Sequence, residues 1–128
     1  MTSTFPSTPL ATDNPRQARE VVAQQLTAWG LGHLADDLEL IVSELITNAV
    51  RHGGGVRAVT LTARDGYARI EVADNDETMP TPRTAGPTDT GGRGLLLIEA
   101  LSRAWGARPD DGGKVVWAEV VGTARPAQ

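Results

Sequence analysis

The hydrophobic period of this chain switches from helical to extended across one triple glycine, Gly53-Gly54-Gly55, and that switch dictates most of the architecture open to it. Before the glycines, Leu38, Ile41, Val42, Leu45, Ile46, Ala49 and Val50 recur at three- and four-residue spacing, which predicts an amphipathic helix from Leu34 to Arg51. Asp36 and Asp37 suit the positive N-terminus of that helix. After the glycines, Val59, Leu61 and Ala63 alternate with polar residues, Asp65-Gly66 turns the chain, and Ala68, Ile70 and Val72 alternate again. The pattern predicts a two-stranded hairpin.

On the N-terminal side, Asn14 followed by Pro15 reads as a helix cap and first-turn proline. Ala18, Val21, Val22, Leu26 and Trp29 continue at helical spacing until Gly30. Residues 1–13, rich in Ser, Thr and Pro around Phe5 and Leu10, read as an arm with room for one edge strand. On the C-terminal side, the stretch from Asp74 to Gly92 has no apolar period and carries Pro80, Pro82 and Pro87. Loops of this length are uncommon unless they serve a function. Gly94 is expected to open a third helix reaching Ala104, with Leu95, Leu96, Ile98, Ala100 and Leu101 as its apolar surface. A short strand at Trp105 to Arg108, a turn at Asp110 to Gly113 and a buried strand holding Val115, Val116, Trp117, Val120 and Val121 complete the domain, 14–122, before a tail at 123–128.

The order is thus helix, helix, hairpin, long loop, helix, strands. It predicts a two-layer α/β sandwich, three helices on one face of a sheet. A doubly wound nucleotide fold is excluded, because the strands come as a hairpin and none leads into a Gly-x-Gly-x-x-Gly turn. The three tryptophans are read as core or interface residues, and His33 as a loop residue before the second helix.

At 128 residues the chain suits one domain with its own core. It has no cysteine, which removes disulfides, thiolate metal sites and cysteine nucleophiles. A net charge of −4 argues against binding nucleic acid, since phosphate contacts need clustered positive charge. Only Lys114 among the twelve basic residues is a lysine. No apolar run approaches the ~20 residues that cross a bilayer, so the expectation is a soluble, cytoplasmic protein with no membrane partner.

Three constellations carry candidate chemistry. Glu44, Asn48 and His52 fall at i, i+4 and i+8, on one face of the second helix. Mg²⁺ takes hard oxygen ligands and keeps waters and phosphate oxygens, so the Asn48 amide oxygen would suffice as its protein ligand, leaving Glu44 to orient or deprotonate a nucleophile. Asp74 closes a strand, where a buried carboxylate can accept from the exocyclic amine of adenine and reject the carbonyl of guanine. Gly91-Gly92-Arg93-Gly94 precedes the third helix, and glycines there let backbone N–H groups approach a phosphate beside the Arg93 charge. Each alone also fits a plainer role: a solvated helix face, a turn closing a strand, an ordinary glycine turn.

Taken in order along the chain, they resemble the GHKL ATP-binding superfamily, whose Bergerat fold lays helices on a mixed, mainly antiparallel sheet with ATP beneath a lid. Within it, Ser43-Glu44-Leu45-Ile46-Thr47-Asn48-Ala49-Val50-Arg51-His52 looks like the N box of the anti-sigma-factor serine kinases, and Gly91-Gly92-Arg93-Gly94-Leu95 like their second glycine box. The resemblance covers residues 15–121. It implies Asn48 as Mg²⁺ ligand, Glu44 as catalytic carboxylate, Asp74 as adenine reader, Gly92, Arg93 and Gly94 as phosphate contacts, and residues 75–91 as lid. It further implies ATP and Mg²⁺ as cofactors, an anti-sigma-factor antagonist phosphorylated on serine, a sigma factor as second partner, and a homodimer. Two departures stand out: Asp74-Asn75-Asp76 lacks the glycine of the superfamily's Asp-x-Gly box, and Val115 stands where relatives are expected to carry a threonine near the adenine. A module that sequesters a sigma factor or antagonist without catalysis remains the alternative, and a sensor histidine kinase catalytic domain a third.

Overall fold

The computed structural model describes residues 7–79 and 90–122, with 90–94 described in backbone only. In chain order the elements are β1 (Ser7–Pro9), α1 (Pro15–Ala28), a single 3-10 turn (Gly32–Leu34), α2 (Ala35–His52), β2 (Val56–Arg64), β3 (Tyr67–Asp74), α3 (Thr90–Leu101), β4 (Ala104–Asp110) and β5 (Gly113–Val121). The five strands form one sheet in the order β1-β2-β3-β5-β4. Every described pairing is antiparallel, so the expected mixed sheet is wholly antiparallel among the described strands. Three helices pack against that sheet, the expected two-layer α/β sandwich.

Local chemistry sets the elements. Asn14 caps α1, its side-chain oxygen accepting from the N–H groups of Arg16 and Gln17 at 2.9 and 3.1 Å, and Pro15 occupies the first turn, where no N–H is needed. Asn14→Ala is expected to destabilise the domain by about 1 kcal/mol, read as a fall in the urea midpoint at unchanged slope. The stripe of α2 runs as its spacing predicts, with Leu38, Ile41, Val42, Leu45, Ile46 and Ala49 buried. Val50 is the exception: at the end of the helix it turns to solvent and is 55% exposed. His33 lies in the 3-10 turn ahead of α2.

Leu26 of α1, Leu38, Ile41 and Ile46 of α2, and Ile98 of α3 are fully buried against Leu61, Ile70, Val72 and Ala118 of the sheet. Burial of each such side chain favours folding by about 1.5–3 kcal/mol. Strand alternation then assigns the faces: Ala68, Ile70, Val72 and Asp74 of β3 and Lys114, Val116, Ala118 and Val120 of β5 share the helix side. Arg69, Glu71, Val115, Trp117 and Glu119 fall on the other. That second face is closed by charge pairing, with Arg69 within 2.9 Å of both Glu71 and Glu119 and stacked 4.2 Å above the Trp117 ring. Trp29 and Trp105 pack against the core.

The β3 to β4 connection passes through α3 and leaves β5 between the two strands. Leu101 ends α3 close before Ala104, which pairs with Glu119 at the opposite end of the sheet from Asp74. The end of β3, the starts of β2 and β5 and the C-terminus of α2 therefore meet at the other end. There Arg57 ties the sheet together, donating to the Asp111 carbonyl at 3.0 Å and pairing with the Asp110 carboxylate at 2.9 Å.

Candidate functional site

The end of α2 fixes the site's frame. The Ala49 carbonyl accepts from the N–H groups of both Gly53 and Gly55 at 3.0 Å, and the positive φ of Gly54 (70°) and Gly55 (106°) turns the chain directly into β2. β3 then ends against this turn: the Asn75 N–H donates to the Gly53 carbonyl at 2.8 Å, and the Asn75 side-chain amide to that of Gly54 at 3.1 Å. A Cβ on Gly53 would stand 2.6 Å from Asp74 Oδ2. Glycine at 53 is thus what lets the helix end close over the Asp74 carboxylate.

Asp74 is 3% exposed. Its carboxylate meets the Lys114 ammonium at 2.9 Å through Oδ2 and 3.2 Å through Oδ1, and Oδ1 also accepts from the Asp76 N–H at 2.9 Å. Lys114 is itself 6% exposed and donates to the Asp76 carbonyl at 3.1 Å. No buried side-chain polar atom among the described residues lacks a partner. A buried ion pair adds little net stability, but losing one member costs about 3–5 kcal/mol because the other is left buried and uncompensated. One residue further on, the Asp76 carboxyl is held below the usual carboxylate range, chiefly by the Thr78 backbone N–H that it accepts at 2.9 Å.

On α2, Glu44 and Asn48 are half-buried, one turn and about 6 Å of helix rise apart. Neither makes a side-chain hydrogen bond with another described residue. Their neighbour Ser43 accepts from Arg19 of α1 at 3.1 Å. His52 is exposed. Among the described residues no three of His, Cys, Asp and Glu come together as a metal cage.

The glycine-rich segment differs from expectation. α3 starts at Thr90, so Gly91, Gly92, Arg93 and Gly94 form its first turn instead of a turn ahead of it. The first N–H groups of a helix have no partner within it, which leaves those of Gly91 and Gly92 outside the helical ladder, whereas the Arg93 N–H, like that of Gly94, belongs to it. α3 packs against α2, bringing this turn's helix beside the one that carries Glu44 and Asn48. Of the expected lid, residues 80–89 lie outside the described residues.

The expected hydroxyl position also moves. Val115 pairs with Ala73 and faces away from the helices, so it does not border Asp74. Lys114 does, directly across the ladder. Lys114, Gly53 and Gly113 are candidate site residues that pattern reasoning missed; the single lysine of the chain, heading a mostly apolar strand, was the available signal for the first.

A family model for the histidine kinase-like ATPase domain matches residues 8–120. The chain belongs to that family, a family of ATP-binding domains. It is also 36% identical over 86 residues to an uncharacterized protein of Streptomyces coelicolor, in a match covering 63% of this chain and 82% of that protein. No helix among the described residues is long and apolar enough to cross a membrane.

Proposed function

We propose that this protein is a Mg²⁺-dependent serine kinase of the anti-sigma-factor type, which phosphorylates an anti-sigma-factor antagonist and in another state holds a sigma factor. The observation that supports it best is the convergence at one end of the sheet. Asp74, closed in by the C-terminal turn of α2, lies at the end of β3, and the same helix carries Glu44 and Asn48, half-buried and without described partners.

In this reading Asp74 accepts from the adenine amine, and the N–H groups of Gly91 and Gly92 receive phosphate oxygens at the positive end of α3, beside the charge of Arg93. Gly94 contributes by leaving room for the backbone to approach. Asn48 offers its amide oxygen to the cation, in keeping with a Mg²⁺ site built from one protein ligand, waters and phosphates. Bound Mg²⁺ would neutralise charge on the transferring phosphoryl group. Glu44 orients the serine hydroxyl and takes its proton.

The alternative, a module that sequesters its partner without catalysis, draws on one observation: the Lys114 ammonium occupies much of the accepting capacity of Asp74. Calorimetric titration decides between them. ATP with Mg²⁺ is expected to bind and GTP not, and Asn48→Ala is expected to lose the Mg²⁺-dependent part of the affinity. If ATP does not bind at all, the kinase reading falls and sequestration stands.

A further inference from the structure

The geometry points to Lys114 as an autoinhibitory lock on the candidate site: its ammonium holds the Asp74 carboxylate in the place of a ligand donor and must withdraw before a nucleotide can bind; this rests on the nucleotide reading of the site. An ammonium and a ligand N–H both donate, so they compete for one carboxylate. Here the ammonium has the place. Its nitrogen donates to Asp74 Oδ1 at 3.2 Å and to the Asp76 carbonyl at 3.1 Å, and stands at an ion-pair distance of 2.9 Å from Oδ2. The carboxylate is covered from other directions as well: the Asp76 N–H donates to Oδ1 at 2.9 Å, and a Cβ on Gly53 would stand 2.6 Å from Oδ2. With Asp74 3% and Lys114 6% exposed, the pair is shut to solvent and ligand alike.

The covers differ in how they are held. Those from Gly53 and Asp76 are backbone, and Asn75 ties them together by donating its N–H to the Gly53 carbonyl at 2.8 Å and its side-chain amide to that of Gly54 at 3.1 Å. On the far side, Gly113 brings the β5 backbone directly against the Asp74 carbonyl. These covers move only if the strand moves. The Lys114 ammonium, by contrast, ends a flexible four-carbon stem, so side-chain rotation alone can withdraw it. Withdrawal strands a buried carboxylate, which makes the open form scarce. A ligand that needs a scarce form binds with its affinity reduced by the fraction present, and removing the lock restores it.

The test is calorimetric titration of ATP with Mg²⁺ into the wild type, Lys114→Ala and Lys114→Arg. Alanine removes the competing donor with its stem and is expected to raise ATP affinity about tenfold or more. Arginine keeps a cation that pairs with the carboxylate and is expected to give no gain. A lysine that only holds the fold would leave the affinity of Lys114→Ala unchanged or weaker, and that result overturns the proposal. Because Lys114→Ala strands a buried carboxylate and can fail to fold, a measurement on the wild type stands beside it. Lys114 is the sole lysine, so acetylation by an activated ester, located by mass spectrometry, follows one side chain apart from the N-terminal amine. Saturating ATP is expected to speed that acetylation, the reverse of the protection a ligand gives a lysine it covers. Acetylation no faster at saturating ATP overturns the lock. Binding by Lys114→Ala where the wild type shows none would mean that the lock is complete in the native chain. If no folded form binds ATP, the nucleotide reading itself falls, and this role with it.

Discussion

Gly113→Ala is expected to lower the thermal midpoint by about 10 °C or more, a larger fall than the same change one residue earlier gives. A Cβ on Gly113 would lie 1.9 Å from the Asp74 carbonyl oxygen and 2.9 Å from its carbon, both backbone atoms of the neighbouring strand. No rotamer relieves that contact. The β3 and β5 strands must part where Asp74 faces Lys114, adding a loosened ion pair to an overpacking cost of about 1–3 kcal/mol. A total near 3 kcal/mol at about 4 °C per kcal/mol gives the expected shift. At Gly112 the cause is different: its φ is +82° and nothing lies within 4 Å, so alanine meets only backbone strain of about 1–2 kcal/mol. Scanning calorimetry of the two variants separates the causes. Equal midpoints would mean that the β3–β5 approach yields easily where Asp74 faces Lys114.

How far the sequence revealed this arrangement depended on how local each signal was. Helix α2 and the β2–β3 hairpin were legible because their apolar periods run for many residues and end on glycines, and Asn14-Pro15 marked the start of α1 through contacts two and three residues away. The start of α3 was not legible. Glycine disfavours helix by about 1 kcal/mol against alanine, so Gly91, Gly92 and Gly94 argued for a turn, yet Leu95 and Ile98 anchor the helix in the core and its first turn extends back to Thr90.

The partner of Asp74 was out of reach for another reason. Lys114 is forty residues away, and the contact depends on the register between two strands that no turn connects directly. A slip of one residue exchanges the faces of Lys114 and Val115. The resemblance pointed to Val115, whereas the register sets Lys114 beside Asp74. The candidate residues Glu44 and Asn48 needed only helix periodicity to be placed together; what the sequence could not supply was that they stay half-buried and without described partners.

Glu44→Ala is expected to reduce phosphoryl transfer to a serine-bearing antagonist by about 10²–10⁴-fold, the range of a lost general base, with ATP affinity changed less than about threefold. The asymmetry follows from where the side chain sits. Asp74 and the N-terminal turn of α3 are other elements, so base and phosphate contacts survive the truncation. Asn48, one turn along α2, keeps its amide oxygen for the cation. Stability is expected to hold as well, because the Glu44 carboxylate has no described hydrogen-bond partner and alanine is a strong helix former. Glu44→Gln keeps the shape and removes the basic oxygen, so it should be nearly as inactive as alanine if Glu44 takes the proton. Single-turnover transfer at saturating ATP, beside calorimetry on the same preparations, reads both halves of the claim. Transfer retained in Glu44→Ala removes Glu44 from the chemistry. Transfer lost together with ATP binding would instead make it a ligand-holding residue, and the two carboxylates of this site would then share one task instead of dividing recognition from catalysis.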